Sequence, residues 1–325
     1  MTVAPVLTFI IPVRNDEARL AQCLASIARN GHTGVCEILV IDNGSADGSV
    51  AVARRAGATV IELPHTPVAE MRNTGAGAAK GTLLAFVDAD HILDAGWVAA
   101  ALETLEDENV TAAGAPYATP GDANWLQRAY GRLRPELKGS MQVDWLGSGN
   151  MIVRAEAFHR VGGFDTSLET CEDVDLCNRL RLHGFRLIAD ERLRSVHLGD
   201  PATVRAVFFG ELWRGRDNMR VTLRGPLSLR ALPSLLIPVW NLAALAAVAL
   251  GLVLWPWAGG VLVDAAVLAL VLTVALRLWR LLPRRAWVAG DLLGAMAVAA
   301  TYEVARALAL VARATHRTRR EVAKA

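Results

Sequence analysis

The sequence predicts an α/β fold, with a Rossmann-like sheet that is mixed but mostly parallel, followed by C-terminal transmembrane helices. Short apolar runs alternate with helix-length segments over residues 1–115, the pattern of right-handed βαβ units. Several runs end in carboxylates, at the ends where parallel sheets bind their ligands. An apolar excess follows Pro233, in stretches of roughly bilayer-spanning length.

Val6–Val13 is a continuous apolar run, suited to a strand buried on both faces. Asn15 or Asp16 is the expected side-chain cap of a helix running to about Asn30. Ile38–Ile41 is the next strand and ends at Asp42. Asp47 is placed to cap a short helix to Ala56, and Thr59–Leu63 reads as a third strand. A helix over Ala69–Ala79 and a strand over Leu83–Val87 complete the regular part. Residues 116–200 are less regular. There the strand Met151–Val153 follows Gly147-Ser148-Gly149-Asn150, Gly162-Gly163-Phe164-Asp165 is a turn, and Glu172-Asp173 opens a helix to about His183.

Residues 201–232 interleave Arg205, Arg214, Arg216, Arg220, Arg224 and Arg230 with Phe208, Phe209, Trp213, Met219 and Leu223. That mixture predicts an amphipathic juxtamembrane helix on an anionic lipid surface. A hairpin of two spans is expected over 233–282. Leu235–Leu254 carries Asn241 as its one strongly polar side chain, and Val261–Leu276 carries Asp264. Trp255 and Trp257 flank the turn, with Trp279 and Trp287 at the far end, as aromatic belts do. Arg277, Arg280, Arg284 and Arg285 put that far end on the cytoplasmic side by the rule of basic inner loops. The third apolar segment, 286–312, places Asp291, Tyr302, Arg306 and Arg313 on one face at about 100° per residue. An interfacial or partly inserted helix is favoured there over a third span, because a span would carry the basic tail 313–325 outside.

Among 325 residues the net charge is +2, which does not argue for a nucleic-acid partner. The four cysteines, Cys23, Cys36, Cys171 and Cys177, lack metal spacing and read as reduced thiols of a cytosolic domain. The start of the chain has no basic segment before an apolar core, so no signal peptide is expected.

The segment with most chemistry is Phe86-Val87-Asp88-Ala89-Asp90. Carboxylates at i and i+2 leave a strand end on one face and can converge on a hard cation. Mg²⁺ or Mn²⁺ bound this way commonly completes its shell with substrate phosphate oxygens.

Six motifs stand in order: Ile11-Pro12-Val13-Arg14-Asn15, the stretch Val40–Ser49 with Asp42 and Asp47, Arg72-Asn73-x-Gly75, Asp88-Ala89-Asp90, Gly162-Gly163-Phe164-Asp165 and Glu172-Asp173. Together they make residues 6–200 resemble the family 2 glycosyltransferases, inverting enzymes of the GT-A fold. The membrane tail resembles bacterial members that build surface polysaccharides or lipid-linked glycans. The resemblance implies a GT-A catalytic domain over 1–200, with Pro12, Val13, Asn15, Asp42, Arg72 and Asp88 binding a nucleotide-sugar donor. It implies a metal on Asp90, with Asp88 and His197 as further ligands. Where the family often has a third acidic residue, this chain has His91, so the third ligand stays open.

The expected base is Asp173, with Glu172 second. Both sit at a predicted helix N-terminus, whose dipole is expected to lower their pKa. Asn150 and Arg154 are expected on the acceptor side. The Gln-x-x-Arg-Trp motif of processive synthases is absent from Glu211–Arg216, so one sugar is expected per acceptor. The resemblance favours a UDP-sugar over a GDP-sugar, and a lipid-linked or glycan acceptor at the inner membrane, with polyprenyl phosphate as an alternative acceptor. A nucleotidyltransferase would want a Gly-rich loop where Pro12–Asp16 stands. A non-catalytic scaffold would have lost Asp90 or Asp173.

Overall fold

A computed structural model describes residues 6–31, 36–226, 229, 231–255, 259–279 and 289–312, with side chains of 289–291 left aside. The chain divides into two units. Unit 1 holds Met1–Pro120, Glu136–Gly199 and Arg224–Pro226, and unit 2 holds Gly121–Pro135, Asp200–Leu223 and Leu227–Ala325.

In unit 1, β1 (Leu7–Val13), α1 (Glu17–Arg29), β2 (Cys36–Asp42), α2 (Ser49–Arg55), β3 (Thr59–Glu62), α3 (Val68–Ala78) and β4 (Leu83–Val87) follow the expected alternation. Every residue of β1 and β4 is buried, as befits strands covered on both faces. Next come β5 (His91–Leu93), α4 (Trp97–Thr104) and β6 (Val110–Gly114). The chain then enters unit 2 for α5 (Trp125–Gly131) and returns for β7 (Ser140–Gln142), β8 (Asn150–Arg154), α6 (Ala155–Arg160), α7 (Glu172–Leu182), β9 (Arg186–Asp190) and β10 (Ser195–His197).

The main sheet has the order β3-β2-β1-β4-β8-β6-β9-β7. Strands β1 to β4 pair in parallel, and β8 runs antiparallel between β4 and β6. The sheet is therefore mixed but mostly parallel. Two apolar clusters cover its faces, one around Phe9, Trp97 and Leu193, the other around Phe86, Phe158 and Phe164. A separate antiparallel pair joins β10 to β5 in the register His197↔His91.

In unit 2, α5 is followed by α8 (Val204–Arg214), α9 (Asn218–Arg224, whose last residue belongs to unit 1), α10 (Leu232–Val253), α11 (Gly259–Trp279) and α12 (Ala289–Ala309). Three of these are long and apolar enough to cross a membrane: Leu232–Val253, Gly259–Trp279 and the Leu292–Ala309 part of α12.

Two expectations change here. Residues Gly121–Pro135 leave the first domain, because Leu126 and Ala129 of α5 bury against Val207 of α8 and Val298 of α12. The Arg-rich segment is two helices rather than one, and α8 buries Glu211, which is 1% exposed, among Tyr130, Arg214 and Arg306. The expected roles of Trp257, Arg280, Arg284, Arg285, Trp287 and the basic tail lie outside the described residues, as do the side chains of Asp291 and Arg313.

Candidate active site

The carboxyl ends of β1, β2 and β4 carry the expected residues to one edge of the sheet. β1 ends in the buried pair Pro12 and Val13, and the chain then turns through Asn15 at φ 51. Asparagine is among the few residues that tolerate this left-handed geometry. Neither Asn15 nor Asp16 caps α1 with its side chain. Instead the β1–α1 and β2–α2 loops cap one another. The Asn15 amide donates to Ser45 Oγ at 2.9 Å, Asp16 to Ser49 Oγ at 3.1 Å and Glu17 to Asp47 Oδ2 at 3.0 Å, while Asn15 Oδ1 accepts from the Ala46 amide at 2.7 Å. Asp47 also accepts from the Ser49 amide and hydroxyl; burial raises its carboxyl, but these bonds and the one from Glu17 together hold it below the usual range.

Asp42 closes β2 and is 2% exposed. Its Oδ2 accepts from the Ser45 amide at 3.0 Å, but its buried Oδ1 has no partner among the described residues. An unpaired buried carboxylate oxygen carries a large desolvation penalty, so it is a ready acceptor for a ligand N–H or O–H.

Past β4, the Asp88 amide bonds Gly149 O, which brings the β8 approach beside the carboxylate pair. Asp90, His91 and His197 each offer one ligand atom, all within 4.8 Å of one another. The β5–β10 ladder brings His197 opposite His91, and His197 Nε2 stands 3.3 Å from Asp90 Oδ2. His91 Nδ1 is fixed by Ser195 Oγ at 2.8 Å, the second contact that orients a ligating imidazole. Tyr117 packs against both imidazoles. Burial opposes ionisation of Asp90, but the hydrogen bond and charge of His197, then His91 and Arg19, hold its carboxyl well below the carboxylate range. Two glycines keep the space open. A Cβ at Gly199 would overlap Asp90 Oδ2 and lie 3.1 Å from His197 Nε2, and one at Gly149 would lie 2.7 Å from Asp88 Oδ2. One carboxylate and two imidazoles in an open cradle fit a divalent transition-metal cation such as Mn²⁺ better than Mg²⁺, which prefers an all-oxygen shell.

Arg72, 3% exposed, joins this centre to α7. Its Nη2 donates to Asp88 Oδ1 at 2.6 Å and its Nη1 to Glu172 Oε1 at 2.8 Å. Both terminal nitrogens of the guanidinium are thus engaged by protein carboxylates, while its buried Nε has no partner among the described residues. Asp88 likewise turns one oxygen to Arg72.

Cys171, at φ 60, turns the chain into α7 and sets Glu172 and Asp173 side by side. The Asp173 carboxylate accepts from the Val174 amide at 2.8 Å and, weakly, from the Ser148 amide at 3.4 Å. Burial, and then the neighbouring Glu172 charge, push its carboxyl up to about 7, against those bonds and Arg72. The expected lowering by the helix dipole is overturned at Asp173, because desolvation and a like charge outweigh it.

Asn150 and Arg154 are also corrected. Asn150 is 2% exposed; its Nδ2 donates to Leu193 O and Ala115 O, and its Oδ1 accepts from Trp97 Nε1. Arg154 pairs in register with Leu83, at the opposite end of β4 from Asp88. Its guanidinium binds the carbonyls of Val110, Leu105 and Asp107, beside a cavity of about 360 Å³. Both residues hold the sheet together. Sequence reasoning noted His91 after the carboxylate pair without assigning it a role, and gave no role to Arg19 or Ser148. The side-chain signal for His91 was its position directly after Asp90.

The model of a family described as glycosyl transferase family 2 matches residues 8–161. Glycosyltransferase AglE of Haloferax volcanii is 26% identical over 241 residues, which cover 70% of this chain and 77% of AglE. The pre-mycofactocin glycosyltransferase of Mycobacterium tuberculosis is 28% identical over 56% of this chain, which spans only 40% of that relative's length. Among solved structures, the mannosyltransferase PcManGT of Pyrobaculum calidifontis, in complex with GDP-Man and Mn²⁺, matches 94% of this chain and 88% of its own at a TM-score of 0.58. At 18% identity that likeness is one of fold.

Proposed function

Since the chain belongs to glycosyl transferase family 2 through residues 8–161, we propose that this glycosyltransferase moves one sugar from a UDP-sugar to a lipid-linked or polysaccharide acceptor. The reaction is inverting, non-processive and dependent on a divalent metal, and it runs at the cytoplasmic face of the inner membrane. The observation that carries this reading is the arrangement at one sheet edge. An unpaired acceptor at Asp42 Oδ1, a cation-fitting trio at Asp90, His91 and His197, and a carboxyl poised near neutrality at Asp173 stand along it, with Arg72 tying Asp88 to Glu172.

Asp42 accepts hydrogen bonds from the nucleobase or ribose, and the Pro12–Asn15 turn lines that end. Asp90, His91 and His197 would hold a divalent cation, which would supply Lewis-acid neutralisation of the leaving diphosphate. Asp173 takes the proton of the attacking acceptor hydroxyl into its carboxylate, on the face opposite the leaving group. A base with pKa near 7 suits this step, since it is both ionised and basic at working pH. Glu172 is engaged by Arg72, and its charge raises the basicity of its neighbour. Arg72 is a positioning residue that keeps the base at a fixed place relative to Asp88.

The test is donor binding and hydrolysis by detergent-solubilised protein, with a panel of UDP- and GDP-sugars in Mn²⁺, Mg²⁺ and EDTA. GDP-mannose belongs in the panel because PcManGT carries it. Metal-dependent binding of one UDP-sugar is the expected result. Folded protein that binds no donor would overturn the reading.

A further inference from the structure

Of the apolar helices of unit 2, α10 and α11 form the hairpin and α12 is built differently. Its hydrogen bonds to the hairpin reach the middle of α10 and the last turn of α11. Glu303, 2% exposed, accepts from Asn241 Nδ2 of α10 at 3.0 Å and from Arg277 Nε of α11 at 2.6 Å. Thr273 Oγ1 donates to Asn241 Oδ1 at 3.0 Å, and Arg277 stacks on the Tyr302 ring. Leu278, one residue before the end of α11, packs on Ala295 and Ala299.

The opposite side of α12 is covered along most of its length. A Cβ at Gly294 would touch Ala129 of α5, and Val298 packs on Val207 of α8 and on Leu126. Arg306 Nε then donates to Glu211 Oε2 at 2.9 Å and its Nη1 to Arg214 O at 3.0 Å, and a Cβ at Gly215 would overlap Ala309. From Gly294 to Ala309 this is about 22 Å of helix at about 1.5 Å per residue. The covering helices bring Arg128, Arg205, Glu211 and Arg214 with them. If α12 crossed a bilayer, those charges would be drawn to the depth of its hydrocarbon core, where charged side chains are strongly disfavoured. Among the described side chains of α12 the exposed ones are apolar, Leu293, Met296 and Ala297, and Val311 just beyond the helix is exposed as well. An interfacial helix needs one apolar face toward lipid and polar cover toward water, and here α5 and α8 supply the cover.

We propose that α12 lies at the boundary between hydrocarbon and headgroups, across the open end of the α10–α11 hairpin, with its exposed strip against a lipid surface. The chain then crosses the membrane twice. The Glu303, Asn241 and Arg277 cluster is the staple that fixes the crossing helix to the hairpin. This holds whatever the donor and acceptor are.

Two measurements test it. Paired reporters, one active only in the cytosol and one only after export, are fused to the otherwise unaltered chain before Met1, at Trp257 and after Ala325 in a bacterial host. The first and last junctions are expected on one side and the middle one on the other. A reporter after Ala325 on the side opposite Met1, or a Trp257 junction on the same side, would overturn the proposal. The second uses a fluorophore on Ala297→Cys in a Cys36→Ser/Cys171→Ser background, because Cys23 and Cys177 are buried. Ala297 lies within about 3 Å of the helix midpoint along its axis. Headgroup-level nitroxide lipids should quench it at least about twofold more than nitroxides near the bilayer centre. Stronger quenching from the centre would show a span.

Discussion

Buried charges in the two units are satisfied differently. In unit 2, Glu303 is met by Asn241 and Arg277, and Glu211 by Tyr130, Arg214 and Arg306. In unit 1, one guanidinium, Arg72, serves two carboxylates, Asp173 beside them is left with backbone donors, and Asp42 Oδ1 and Arg72 Nε have no partner among the described residues. A fully paired cluster specifies packing. A cluster with too few counter-charges keeps a carboxyl near neutrality and leaves acceptors for a ligand, which is the signature of a working site.

Breaking the under-paired cluster should have the largest effects. Asp173→Asn is expected to lower turnover by about 10²–10⁴-fold, the usual contribution of a general base, with donor affinity near wild type. Single-turnover kinetics beside donor titration check this split, and near-normal turnover would remove Asp173 from the base role. Asp90→Ala should abolish metal-dependent donor binding. Gly199→Ala, which pushes a methyl group into the Asp90 carboxylate, should weaken metal affinity by about 10–100-fold with little change in Tm. Titration calorimetry with Mn²⁺ reads both.

Arg72→Met leaves Asp88 and Glu172 without their shared cation and should cost about 3–5 kcal/mol of stability by denaturant unfolding. Arg72 charge also holds the Asp173 pKa down, so the acid limb of the pH–rate profile should move to higher pH in this variant, to the extent that it stays folded. In the wild type, kcat/KM should rise about tenfold per pH unit up to about 7 and then level, as Asp173 loses its proton. The sign for stability is opposite. The raised carboxyl binds a proton in the native state that the unfolded chain has released, so between about 4 and 7 this group makes stability fall as pH rises.

The smallest effect is expected in the paired cluster. Asn241→Leu removes two interhelical bonds in an apolar setting, each worth about 0.6 kcal/mol on average, so detergent Tm should shift by only a few degrees and donor binding should be unchanged. A large loss of donor binding there would erase the contrast between the two clusters.

Local pattern carried the first half of unit 1. The strands β1 to β4 are apolar runs whose edges fall within about two residues of expectation; β1 and β4 are buried throughout, whereas the edge strand β3 is partly exposed. The apolar hairpin was equally legible. What was not legible depends on partners far away in sequence. The ladder that puts His197 opposite His91 joins residues 106 positions apart, and no local signal announces it. The segment holding α5 looked irregular because its apolar face is completed by α8 and α12 rather than by the sheet. The dipole argument for Asp173 failed for a related reason: the helix end was read correctly, but burial and the carboxylate at its side are tertiary quantities.

The mutual capping of the β1–α1 and β2–α2 loops has a further consequence. Five bonds lace Asn15, Asp16 and Glu17 to Ser45, Ala46, Asp47, Gly48 and Ser49, so the two loops move as one wall. A ring arriving at Asp42 therefore meets a rim that has already given up its freedom. Recognition at that end would resemble a key entering a cut lock more than a hand closing, and the entropy lost on docking would fall mostly on the guest.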